Sequence, residues 1–213
     1  MKAITTGVRL DRAPRDNGFT LIELLVTVLV IVVVSVVAMP SFTGFADRER
    51  LSSAAQDLYA QILNARAESV ARSAPIFMNF DADGSSTWAY GISQNGACDT
   101  AVTVVSGANA CVVVLDDGDG LLDPGDGSVD AADLMLRRYL AASHPGVSMS
   151  IVNFSSGDTS IRFDPIRGTS DAADIRLVSE EGLQLTIRLG LLGTPRICSP
   201  DGSVNSYSDV NCT

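Results

Sequence analysis

The hydrophobic pattern opens with an apolar run from Phe19 to Met39 in which the only charged side chain is Glu23. Its 21 residues match the roughly 20 that a helix needs to cross a bilayer core of about 30 Å. No small-residue cleavage site follows. The run ends at Met39-Pro40 and passes straight into a second helical pattern, which disfavours a removable signal peptide. That second pattern sets Leu51, Ala55, Leu58, Ile62, Ala65 and Ser69 at alternating spacings of four and three, with Arg48, Glu49, Asp57 and Gln61 off the stripe. The prediction is one helix from Phe19 to about Arg72, apolar all round in its first half and amphipathic in its second. Pro40 lacks an N–H and clashes with the carbonyl four residues earlier, so a kink or local melting is expected there, and Pro75 ends the helix.

Beyond Pro75 the period shortens to that of strands. The runs IFMNF (76–80), WAYGI (88–92), VTVV (102–105), CVVVL (111–115), SMSIVNF (148–154), IRF (161–163), DIRLV (174–178) and LQLTIRL (183–189) are separated by turn residues. The last alternates, with Leu183, Leu185, Ile187 and Leu189 on one face. The expected fold class is α+β: a long N-terminal helix, half membrane-spanning and half amphipathic, packed on an antiparallel β-sheet domain. The segments are then a leader (1–18), a transmembrane helix (19–39), an amphipathic helix (40–73) and a β-rich domain (74–213).

Charge orients this plan. The first 18 residues carry Lys2, Arg9, Arg12 and Arg15 against Asp11 and Asp16, which places the N-terminus in the cytoplasm and the rest outside it. Without them, 11 of 15 basic and 23 of 25 acidic residues remain, and the net charge moves from -10 to -12. Such a body repels nucleic acid unless a local patch compensates. All four cysteines, Cys98, Cys111, Cys198 and Cys212, follow the apolar run, on the side where disulfides persist. Of the three pairings, Cys98 with Cys111 and Cys198 with Cys212 each close a short local loop, and this one is predicted. Neither a C-x-x-C nor a Cys/His cluster supports metal ligation instead.

The segment G-F-T-L-I-E, Gly18 to Glu23, followed by an apolar helix resembles the type III signal of type IV pilins and pseudopilins. The resemblance implies cleavage by a prepilin peptidase between Gly18 and Phe19, methylation of the new amino group on Phe19, and a role for Glu23 in assembly. The physics agrees. A carboxylate in lipid costs about 2.5 to 3.5 kcal/mol on insertion scales, and a cationic N-terminus on a neighbouring subunit would offset it. The rest of the chain resembles FimT/FimU-type minor pilins and H-type minor pseudopilins of type II secretion. The blocks that carry this are LNARAESVARSAPIFMNF (63–80), W-x-x-G from Trp88 to Gly91, IRFDPIRG (161–168) and G-T-P-R-I-C from Gly193 to Cys198. The resemblance implies a minor pilin that begins in the bacterial inner membrane with its C-terminal domain in the periplasm. Its partners would be other pilins, the peptidase and an inner-membrane assembly platform, and it would end in a surface filament serving assembly, adhesion, twitching or DNA uptake. A cysteine-closed tail is more like the pilus branch than the secretion branch.

Some FimT-type relatives bind DNA through a C-terminal G-R-x-R pattern. Here Thr194 takes the first arginine position, leaving Arg196 with Arg188 on the preceding strand, so at most a weak phosphate contact is expected. Asp117, Asp119 and Asp123 take positions 1, 3 and 7 of a calcium-type loop, but Leu122 and Ser128 stand where an EF-hand needs glycine and glutamate. A solvated turn is expected, with calcium the alternative and no other cofactor. His144, the one histidine, sits in S-H-P-G with no nucleophile motif elsewhere, so neither catalysis nor a small-molecule substrate is expected, and Trp88 reads as core.

Overall fold

The structure, a computed structural model, describes residues 19–115, 134–154 and 159–207, with the backbone alone for 37–43. Helix α1 (Leu21–Arg72) starts on a side-chain cap: Thr20 Oγ1 accepts the Glu23 N–H at 3.3 Å, and the Thr20 carbonyl accepts that of Leu24 at 3.2 Å. Thr20 is therefore the N-cap and Glu23 the third helical residue, the T-x-x-E arrangement that favours a helix start. At the other end Ser73 turns left-handed (φ 51). Its N–H reaches the Val70 carbonyl and that of Ala74 the Ser69 carbonyl, both at 3.2 Å. This closes the last turn, and Pro75 cannot extend it. The backbone is helical through Pro40, so the expected melting there does not occur: one missing donor leaves the flanking turns helical.

The chain divides into two compact units, Met1–Phe42 and Thr43–Thr213. In the first, the described side chains from Phe19 to Val36 are exposed on every side of the helix. Among the described residues no helix is long and apolar enough to cross a membrane. The described side chains stop at Val36, three residues short of the Met39 end of the apolar run. In the second unit, the head, every member of the predicted stripe is buried: Leu51, Ala55, Leu58, Ile62, Ala65 and Ser69. Burying a side chain such as Leu58 or Ile62 contributes about 1.5–3 kcal/mol.

The head is antiparallel, but it forms two four-stranded sheets and a ribbon where a single sheet was expected. The first sheet has the order β5-β2-β1-β7, with β1 Ile76–Asp81, β2 Ala89–Ser93, β5 Arg138–Leu140 and β7 Ser160–Phe163. The second has the order β10-β9-β8-β6, with β6 Val147–Phe154, β8 Ala173–Ser179, β9 Gln184–Leu189 and β10 Pro195–Cys198. Strands β3 (Val112–Val114) and β4 (Leu134–Leu136) form the ribbon. Alternation tells which face of a strand is apolar, not which strand lies beside it, so the split into two sheets was not legible. One core joins the helix stripe to Ile76, Met78, Ile92, Ile161 and Phe163 of the first sheet and Ile175, Leu177, Leu185 and Ile187 of the second. VTVV (102–105) is not a strand: the segment turns inside the loop closed by Cys98 and Cys111, leaving Val104 exposed.

Candidate functional site

The apolar helix is one candidate site. Phe19 and Glu23 are both exposed, and Gly18 lies outside the described residues. Two hydroxyls within the run bond their own backbone, Thr27 Oγ1 to the Leu24 carbonyl at 2.8 Å and Ser35 Oγ to that of Ile31 at 2.7 Å. Polar atoms satisfied this way carry a much smaller penalty in an apolar medium, which leaves Glu23 as the run's one group that needs an external partner.

The C-terminal hairpin is the other. Arg188 and Arg196 are cross-strand partners of β9 and β10. Arg188 Nε lies 3.1 Å from Asp174 Oδ1, while Arg196 and Thr194 are exposed. The two guanidinium groups thus share one strand pair, with a carboxylate on one of them, and they line a cleft of about 450 Å³ with Gly190, Leu191, Leu192 and Thr194. Asp117, Asp119 and Asp123 lie outside the described residues. Among the described residues no group of three His, Cys, Asp or Glu side chains is placed to hold a metal ion.

Cys98 and Cys111 are bonded, with Cα atoms 5.0 Å apart, and the bridge packs on Gly91. Asn79 Nδ2 donates to Cys98 Sγ at 3.2 Å and to the Gly96 carbonyl at 3.3 Å, fixing the loop to β1. Cys198 is buried and is not a free thiol; Cys212, its expected partner, lies outside the described residues.

Trp88 is core, as expected, and its Nε1–H donates to the Val147 carbonyl at 2.8 Å. His144 is not isolated: its ring stacks on Trp88 and its Nε2 lies 3.1 Å from Asp57 Oδ2, fastening the turn after β5 to α1. Sequence reasoning also missed a polar network where Arg137 meets Glu68, Gln61 Oε1 and the Tyr139 hydroxyl, and Arg72 meets Glu68 at 2.9 Å and the Val114 carbonyl. Burial alone would lower the Arg137 pKa, but the Tyr139 hydroxyl and the Glu68 carboxylate outweigh it and hold the guanidinium above its ordinary value. Gln61 and Glu68 at i and i+7 on one helix face were a signal, but their partners are about 70 residues away.

A helix that is apolar on every described side to Val36, with one carboxylate in its first turn, followed in the chain by an antiparallel head, is the build of a pilin-like protein. The family described as type II transport protein GspH is matched over residues 54–193, and the prokaryotic N-terminal methylation motif over residues 14–39. The chain belongs to the GspH family of type IV pilin-like proteins, which are structural proteins. No curated protein and no solved structure matches it.

Proposed function

We propose that the chain is a minor pilin of a type IV pilus. It is cut after Gly18, methylated on Phe19, held in the inner membrane by residues 19–39 with its head in the periplasm, and then packed into the filament through the same helix. One observation carries this reading: the surface of α1 to Val36 is exposed and apolar on every side, with Glu23 its one charge. Such a helix is stable only within lipid or among other apolar helices, and a filament core supplies the second environment when the subunit leaves the first. In either medium the Glu23 carboxylate needs a cation, and the methylated amino group of a neighbouring Phe19 supplies it. The second reading, a minor pseudopilin of type II secretion, is favoured by the description of the matched family as a type II transport protein. A deletion strain separates the two. Loss of surface pili with normal exoprotein secretion supports the first, and the reverse supports the second. In filaments sheared from the parent strain, the subunit's mass should start at methylated Phe19; intact Met1 would overturn the processing step.

A further inference from the structure

A cavity of about 230 Å³ lies between α1 and the turn after β5. One side of it is a file of rings. Trp88, just before β2, and Tyr90 within it are two residues apart and share a face, and Tyr139 is the cross-strand partner of Tyr90. Ring centroids are 4.8 Å apart from Tyr139 to Tyr90, 6.2 Å from Tyr90 to Trp88 and 6.2 Å from Trp88 to His144, with planes within 16° at each step. Around this file stand polar groups with bonding capacity to spare. Tyr90 lines the cavity at 3% exposure, yet its hydroxyl has no hydrogen-bond partner among the described residues. Burial, with Tyr139 and Asp57 close by, pushes the pKa of that hydroxyl well up, so it keeps its proton and can donate. Gln61 Oε1 accepts the Tyr139 hydroxyl at 2.9 Å and Arg137 Nη2 at 3.3 Å, which leaves both amide N–H groups of Gln61 for the cavity. Asp57 gives one oxygen to His144, at 3.1 Å, and keeps the other, while exposed Ser143 adds a hydroxyl.

This mixture of donors and acceptors decides the class of ligand. An anion would meet the Asp57 carboxylate. A metal ion would need a fuller ligand set, and among the described residues no group of three His, Cys, Asp or Glu side chains is placed to hold one. An organic cation is held best over open ring faces, whereas Trp88 and Tyr90 each lie between two other rings of the file. A purely apolar ligand would leave the Tyr90 hydroxyl and the Gln61 amide buried and unpaired, which is costly. A neutral ligand rich in hydroxyls meets every requirement, because each hydroxyl both donates and accepts. Asp57 would accept from it, Gln61 would donate to it and Tyr90 would do either. Leu140, which is exposed, and Tyr139, which is half-buried, offer an apolar wall to its carbon–hydrogen groups. The volume falls below the roughly 300 Å³ at which pockets for drug-sized molecules begin, so the occupant is small, about one ring in size.

We propose that this cavity binds a single neutral sugar ring, a hexopyranose or an N-acetylhexosamine, through Asp57, Gln61 and Tyr90 beside the wall of Leu140 and Tyr139. The site belongs to the head and its binding is measured on the isolated chain, so the outcome does not depend on whether that chain serves a pilus or a secretion system. Trp88, the one tryptophan, borders the cavity and reports its occupancy by fluorescence. The full chain, in micelles of a detergent without a sugar headgroup, is titrated with the methyl glycosides of glucose, galactose, mannose and N-acetylglucosamine. At least one should give a saturable change with a Kd of about 1 mM, the scale for a ligand this small. Tyr90→Phe should weaken that binding roughly fivefold and leave the urea midpoint unchanged, since the lost hydroxyl has no partner in the fold. Asp57→Asn should weaken it about tenfold, because an ionised carboxylate is the stronger acceptor. The proposal is overturned if no glycoside gives a saturable change, if sorbitol or tetramethylammonium gives the same change, if either variant binds as the parent does, or if Tyr90→Phe lowers the midpoint.

Discussion

Gly91→Ala should destabilise the head strongly only while the Cys98–Cys111 bridge is intact. Gly91 lies in β2, and a Cβ there would sit 2.2 Å from Cys111 Sγ, 2.7 Å from Cys111 Cβ and 3.2 Å from Cys98 Sγ. Cys111 is fully buried and tied to Cys98, so it has no rotamer to retreat into. Overpacking of this kind costs about 1–3 kcal/mol, and the rigid partner argues for the upper end. Removing the bridge with Cys98→Ala and Cys111→Ala itself costs about 3 kcal/mol in the chain-entropy account of a loop this size. It also deletes the sulfur atoms and lets the remaining Cβ at position 111 move away. In that background Gly91→Ala should cost about 1 kcal/mol, a coupling of about 2 kcal/mol between sites in direct contact. Urea unfolding of the soluble head from Thr43 measures all four proteins, with the single buried tryptophan, Trp88, as the fluorescent probe. If the Gly91 and cysteine effects add to within about 0.5 kcal/mol, the packing argument is wrong.

Glu23→Ala should be cleaved and inserted normally, since losing a charge makes the segment more apolar, yet on the proposed reading be poorly recovered in sheared filaments, because a neighbour's amine then has no partner; normal recovery would remove Glu23 from assembly. Glu68→Ala should destabilise the head by about 1–2 kcal/mol, less than for a fully buried pair because both charges retain some water contact, and a urea midpoint equal to that of the parent would refute the network. Cys198 should pair with Cys212, closing a loop of about 15 residues worth roughly 3 kcal/mol; non-reducing peptide mapping that pairs either with Cys98 or Cys111 would contradict this. The head should bind duplex DNA no tighter than about 10⁻⁴ to 10⁻⁶ M and release it with salt, and Thr194→Arg should strengthen binding; a gel-shift series at two salt concentrations decides, submicromolar binding by the unmodified head being the adverse result.

What could be read ahead of the structure was whatever repeats locally. The 51–69 stripe appeared because a helix brings those residues to one face, and β9 because a strand alternates. Strands β4 and β5 stayed hidden in LMLRRYL because each is three residues long and held by its neighbours, one through β3 and the other through β2. Strand β10 starts with Pro195, which argues against a central strand but suits the sheet edge it occupies. The 102–105 run has strand-forming side chains, but disulfide closure and the turn at Gly107 give it no partner strand. Glu23 and the hairpin arginines were visible as motifs. The Asp57–His144 pair and the hydrogen bond from Arg66 Nε to the Gly168 carbonyl were not, because 87 and 102 residues separate their members and no local period links them.

The chain's route between its two sheets has a mechanical consequence. Leaving β6 in the second sheet, it crosses to β7 in the first and returns to β8 in the second. A pull on the 43–72 half of α1 is borne first by its buried stripe, Leu51 to Ser69, and beyond that half-helix the chain continues at Ile76 into a strand gripped on both sides, by five register pairs to β2 and four to β7. Pulling β1 out must therefore break two ladders together, and the freed edge, β7, remains stapled to the other sheet through β6 and β8. Neither sheet can be peeled off as a separate layer. Resistance to such a pull is set by the unfolding rate, not by the equilibrium stability, so a head hung from its stalk should outlast forces that its free energy alone would not predict.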